Sequence, residues 1–293
     1  MKKSRKIIST FLFFIAIGCI FVATVLFFKH SMEDKLANGA IENVKPDKEM
    51  AATIEGQPVE TLTPEPTQKP TPSAEPTPTP TQEPTPAPTP APIANPYAES
   101  YLANKDMAAW LVIPDTNIDY PVMWTPEDEN FYLYKDFNGN KNSNGSLILD
   151  TDSCLDPLTT NLIIHGHNMK SGAMFGNLTD YEDPDYYEGH KEIILYTEEC
   201  QRNYEVIAVF RSQVFKKTDN VFKFYKFFQA DTEEEFQDFY TNIKERSLYD
   251  TGVTARFGDR FITLSTCVYH VENGRFVVVA KEVENGDTYL PVE

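Results

Sequence analysis

Thr263-Leu264-Ser265-Thr266-Cys267 closes one β-type run, and Arg275-Phe276-Val277-Val278-Val279-Ala280 opens another. Side chains of this kind suit a pleated, buried surface. Paired as neighbouring strands, the two runs bring Cys267 and Arg275 to adjacent strand ends. That pairing sets a thiol beside a fixed positive charge.

Short runs of the same character precede them. Residues 110–113, 118–122, 146–149, 161–165, 192–196 and 203–211 read as strands, parted by turn signals such as Asn138-Gly139-Asn140 and Asn144-Gly145. Residues 98–110 read as an N-terminal helix with Tyr101, Leu102 and Met107 among its apolar positions. Thr232-Glu233-Glu234-Glu235 is a capping box, with Thr232 as N-cap and Glu235 reaching back. Phe236, Phe239, Tyr240, Ile243 and Ser247 follow at helical spacing. This second helix is expected to pack its apolar face on the sheet. Residues 97–293 therefore form one mainly β domain, with a long helix before the last two strands.

The N-terminal third has a different composition. Residues 7–28 are almost wholly apolar, long enough to cross a ~30 Å hydrocarbon core as a helix. Lys2, Lys3, Arg5 and Lys6 precede them, so the positive-inside rule puts residues 1–6 in the cytoplasm and the rest outside. No Ala-x-Ala-like site follows the apolar run, which favours an uncleaved anchor over a signal peptide. Residues 29–96 read as an extracytoplasmic linker. From 58 to 96 it is largely Pro-Thr, Pro-Glu and Pro-Ala steps, with too few apolar side chains for a core. In polyproline II form, at ~3.1 Å per residue, it would reach on the order of 100 Å and act as a stalk.

The formal net charge of -18 argues against nucleic-acid binding, which needs a basic face. Beyond the apolar run lie Cys154, Cys200 and Cys267, an odd number in an exported chain. A bridge between Cys154 and Cys200 would leave Cys267 as the thiol.

Asn161-Leu162-Ile163-Ile164-His165-Gly166-His167-Asn168 runs a buried strand into a turn that presents His167. A Cys and a His from two strand ends are the minimal set for nucleophilic acyl transfer. The thiolate attacks a carbonyl, the imidazolium protonates the leaving amine, and Arg275 stabilises the oxyanion or holds the peptide. Each residue alone has a plainer reading: a small buried hydrophobe, a turn histidine, a solvated surface charge. By type alone His165 and His270 compete for the role of base, and the Gly166-His167-Asn168 context favours His167.

Together these segments resemble the sortases, the membrane-anchored cysteine transpeptidases of Gram-positive bacteria, and class B most closely. The similarity extends to Trp110-Leu111-Val112-Ile113-Pro114, Asp115-Thr116-Asn117-Ile118-Asp119-Tyr120-Pro121-Val122 and Gly145-Ser146-Leu147-Ile148-Leu149-Asp150. The resemblance implies a closed, twisted β-barrel of about eight strands, with His167, Cys267 and Arg275 as catalytic residues. It implies that Asn130 lies near the site and that Ser265 and Thr266 line the substrate groove. It also implies the reaction. The sorting signal of a surface protein is cut after its Thr, held as a thioester on Cys267, and passed to an amine of a peptidoglycan precursor or a pilin. No cofactor or metal is implied.

His165 departs from the family, which often has Tyr there. A zinc set of His165, His167, Cys267 and His270 would put Arg275 beside a bound cation, which is unfavourable. Two other functions stay open on the residues alone, a hydrolytic cysteine peptidase of the same barrel and a non-catalytic wall-spanning scaffold.

Overall fold

A computed structural model describes residues 92–291, together with scattered positions between 20 and 45. The anchor expected at 7–28 and the linker expected at 29–96 lie for the most part outside the described residues. Among those described, no helix is long and apolar enough to cross a membrane.

Eight strands form the domain: β1 (Met107–Val112), β2 (Asp119–Met123), β3 (Leu147–Leu149), β4 (Asn161–Gly166), β5 (Glu192–Thr197), β6 (Cys200–Gln213), β7 (Phe261–Cys267) and β8 (Gly274–Thr288). They close in the order β1-β2-β3-β4-β7-β8-β6-β5, giving the closed barrel expected from the sequence. The β2–β3 and β4–β7 pairs are parallel. A parallel pair needs a crossover. Between β4 and β7 that crossover is long, and it carries β5, β6 and the long helix.

Alternation along β7 and β8 builds two cores. Ile262, Leu264, Phe276, Val278 and Ala280 join the main cluster, while Phe261, Val277 and Val279 join a second one with Phe236, Phe239 and Ile243. The second cluster is the barrel's outer face, covered by the helix Glu233–Arg246. That helix starts as its sequence indicates: Thr232 Oγ1 accepts from the Glu235 amide, and the Glu235 carboxylate accepts from the Thr232 amide. Phe239 stacks on Phe227 at 3.9 Å between centroids, so the helix is pinned by ring contacts as well as by area.

The N-terminal helix is shorter than its sequence suggests. It spans Ala98–Ala103 (α1), and Met107 opens β1 instead of continuing the helix. Asn104 ends it. Its backbone is extended, and its side-chain amide donates to the Tyr132 hydroxyl and the Phe137 carbonyl, while its Oδ1 accepts from the Asp106 amide. Local asparagine bonding of this kind competes with helix propagation. A short helix, Pro184–Gly189 (α2), was not expected; Glu233–Arg246 is α3. Just upstream of residue 97, Ile93 bridges to Tyr289 and Asn95 donates to the carbonyls of Thr197 and Glu198.

Candidate active site

The register brings the two opening runs together as expected: Cys267 lies directly opposite Arg275, and Ser265 opposite Val277. Residues opposite each other share a face, and Val277 belongs to the outer core, so Cys267, Ser265 and Arg275 point outward. On the other side of β7 the parallel strand β4 places His165 beside Ser265 and Gly166 beside Thr266. His167 then emerges level with Cys267.

A cleft of about 520 Å³ opens on this face, where β4 and β7 end and β8 begins. His167, Cys267, Arg275, Asn130, Ser265 and Thr266 all line it. Further wall comes from Tyr134, Val214, Tyr225 and Lys226. Thr266 differs from Ser265. Its hydroxyl donates to the Gly166 carbonyl at 2.8 Å and ties the ends of β4 and β7 together, whereas the buried Ser265 hydroxyl has no partner among the described residues.

His167 is held by the loop between β2 and β3. Its Nε2 lies 2.8 Å from the Leu133 carbonyl oxygen. A carbonyl can only accept, so Nε2 carries the proton and Nδ1 is the nitrogen left for proton transfer. Tyr134 covers the ring at 5.4 Å between centroids. The loop is anchored from below by buried Tyr132, whose hydroxyl donates to Asp106 Oδ2 and accepts from Asn104. Burial pushes that hydroxyl's pKa up, which keeps it a donor.

Asn168 completes the turn by donating its side-chain amide to the Cys267 carbonyl at 2.9 Å. The Arg275 guanidinium donates to the Asn273 and Gly274 carbonyls at 3.3 and 3.1 Å, and no carboxylate pairs with it among the described residues. Its charge is therefore uncompensated beside the thiol. Cys154, Cys200 and Cys267 are all thiols, so Cys154 and Cys200 do not pair. No group of three or more His, Cys, Asp or Glu side chains is placed to share a metal ion among the described residues. His165 instead pairs with Asp150.

Gly145 supports the imidazole indirectly. It sits at φ 61°, and a Cβ there would collide with the Leu133 carbonyl and lie 3.2 Å from His167 Cδ2. Gly145→Ala is expected to lower the rate of peptide cleavage about tenfold or more by displacing the acceptor that orients His167, an effect of the size general acid–base catalysis supplies. Steady-state kinetics beside a urea melt would check this; unaltered kinetics would mean that the Leu133 carbonyl does not set the ring.

Leu133, Tyr134, Asp150 and Lys226 were not singled out by the sequence. Leu133 acts through its backbone oxygen, which leaves no mark on residue type. Asp150 could have been found through His165 only if the antiparallel pairing of β3 with β4 were known.

Residues 111–283 match the sortase domain family. The sortase B of Listeria monocytogenes is 36% identical over 184 residues, which are 61% of this chain and 71% of that protein. Among solved structures, sortase B from B. anthracis in complex with AAEK1 superposes with a TM-score of 0.56 at 30% identity, covering 64% of this chain and 84% of that one. A Staphylococcus aureus sortase B–substrate complex gives a TM-score of 0.58 at 29% identity, covering 66% and 87%. With the fold, the family match and the relatives agreeing, the chain belongs to the sortase family, as a class B cysteine transpeptidase.

Proposed function

We propose that this chain is a membrane-anchored sortase that cleaves the C-terminal sorting signal of surface proteins and transfers the acyl group to an amine of a peptidoglycan precursor or a pilin. The observation that carries the reading is the content of one cleft: the Cys267 thiol, the His167 ring with Nδ1 available, and the Arg275 guanidinium, which no carboxylate pairs among the described residues. Residues 7–28 would anchor it with the N-terminus in the cytoplasm, and residues 29–96 would carry the domain away from the outer surface of the membrane.

The chemistry follows from the residues. The Cys267 thiolate adds to the carbonyl of the signal's Thr, and the oxyanion forms near the Arg275 charge. The C–N bond breaks as His167 Nδ1 protonates the leaving amine, which leaves a thioester on Cys267 and a neutral imidazole. An incoming amine attacks that thioester, its nitrogen gives a proton back to His167, and the thiolate leaves. The orphan Ser265 hydroxyl offers the bound peptide a hydrogen bond, and Asn130 on the loop rim offers an amide.

The full-length chain in detergent, incubated with a library of Pro-containing pentapeptides and triglycine, is expected to give one cleavage position and an amide-linked product by mass spectrometry. Cleavage without any amide, at saturating triglycine, would identify a hydrolase instead. No cleavage of any peptide would leave the scaffold reading.

A further inference from the structure

Beside the Cys267–His167–Arg275 set, the same cleft contains a second imidazole with its own carboxylate. His165 Nε2 lies 3.0 Å from Asp150 Oδ2, and both residues line the cleft. The pair is partly sheltered, with side-chain exposures of 37% for His165 and 18% for Asp150. A carboxylate only accepts, so His165 Nε2 carries a proton and Nδ1 is the nitrogen that can serve the cleft. Burial raises the Asp150 carboxyl, yet hydrogen bonds from His165 and the Asp152 amide outweigh it and hold the group below the usual carboxylate range. Asp150 is thus an anion at neutral pH, oriented on an imidazole.

Position matters as much as chemistry. His165 pairs across the sheet with Ser265, two residues before Cys267 on the same face. From the strand spacing and rise, the His165 and Cys267 backbones are roughly 8 Å apart, leaving room for one small group between their side chains. Glu129 and Asp152 add carboxylates to the cleft lining, and Lys226, 3.9 Å from Asp152 Oδ2, is a cation already facing Asp152.

Transfer to an amine has a requirement that thioester formation lacks. At neutral pH an aliphatic amine arrives as an ammonium ion and must lose a proton before its lone pair can attack. His167 is committed to the other proton, the one exchanged with the leaving and entering nitrogen. We propose that His165 and Asp150 form the acceptor subsite, in which His165 Nδ1 takes the first proton from the incoming ammonium group and Asp150 orients the ring. The inference rests on the transpeptidase reading above. In full, the ammonium proton goes to His165 Nδ1 and then to solvent. The nitrogen lone pair forms the C–N bond, and the C–S bond breaks with its electrons returning to Cys267 Sγ. The nitrogen's second proton goes to His167, restoring the thiolate–imidazolium pair.

The plainer role for this pair is to tie β3 to β4, and the experiment separates the two. The full-length chain and its His165→Phe and Asp150→Asn variants are given the cleavable peptide with either triglycine or hydroxylamine. Hydroxylamine is largely unprotonated at neutral pH, so it needs no base to remove a first proton. With triglycine at pH 7, where about one α-amino group in ten is already neutral, His165→Phe is expected to lose up to about tenfold in kcat/KM for the amine, and Asp150→Asn is expected to lose less. With hydroxylamine both variants are expected to work within about twofold of the parent chain, and raising the pH should restore triglycine transfer. An equal loss with both nucleophiles would overturn the proposal in favour of a structural role, as would unchanged triglycine transfer in His165→Phe. Hydroxamate without triglycine amide from the parent chain would overturn an amine subsite while leaving the acyl-enzyme intact. If the parent chain forms neither product while cleaving the peptide, the transpeptidase reading itself fails.

Discussion

Cys267→Ala is expected to abolish peptide cleavage and transfer, a loss of roughly 10⁴-fold or more, since among the described residues Cys267 is the one thiol lining the cleft. The barrel should be indifferent to the change. Cys267 is the last residue of β7, its carbonyl accepts from the Asn168 side chain, and that backbone contact survives substitution. The thiol is only partly buried, so its truncation leaves no closed cavity. The measurement is product formation by mass spectrometry alongside a urea melt, with hydroxylamine added to trap any thioester. Cys154 and Cys200 remain thiols in the variant and serve as an internal control. Hydroxamate formation by Cys267→Ala would show that the nucleophile lies elsewhere and would remove the basis for the mechanism.

The sequence was informative about this site where chemistry and periodicity coincide. Cys267 and Arg275 could be paired because a β-run ends at one and begins at the other, and strand pairing converts that spacing into contact. His167 followed from a strand running into Gly166, where any Cβ would strike Leu147 and Phe175. The same logic located all eight strands, though β6 and β8 run further than their apolar stretches indicate, through residues such as Arg202 and Glu282 that pair at 2.8 Å. Helix ends were harder to read. Residues 98–110 carry helical spacing, but Asn104 spends its side chain on the neighbouring loop, a tertiary effect that local pattern does not contain. In α2 the start signal was present, with Asp183 as N-cap and Pro184 at the first position, but six residues hold too few apolar positions to register. Least legible was the wall of the cleft between β2 and β3, where an irregular loop contributes a backbone oxygen and a tyrosine ring.

Both halves of the proposed reaction share one geometric device. Leu133 and Asp150 each hold Nε2 of one histidine, and in both cases Nδ1 is left for the substrate. His165 is the penultimate residue of β4 and His167 lies just past its end, and both line the same cleft. They differ in the acceptor that fixes them. A backbone carbonyl oxygen fixes His167, whereas a carboxylate oxygen fixes His165.

Arg275→Ala is expected to reduce turnover by about 10²–10³-fold, the loss typical of removing one oxyanion-stabilising group. The argument starts from what the guanidinium lacks. Its recorded hydrogen bonds go to the carbonyls of Asn273 and Gly274 in its own turn, and no acid offsets its charge among the described residues. A partly buried cation with no counter-ion is a poor way to stabilise a barrel, so its removal should shift stability by less than about 1 kcal/mol. Its position is fixed instead by the β7–β8 register, which sets it opposite Cys267. Oxyanion stabilisation and peptide holding predict different kinetics. If the charge acts on the tetrahedral adduct, Arg275→Ala lowers kcat and leaves KM nearly unchanged; if it holds the bound peptide, KM rises. Arg275→Lys discriminates further. Lysine restores a point charge but not the planar fork, so it should recover only part of the rate if two parallel hydrogen bonds are made to the adduct. Turnover by Arg275→Ala within a few-fold of the parent chain would mean that the charge opposite Cys267 has no part in the chemistry.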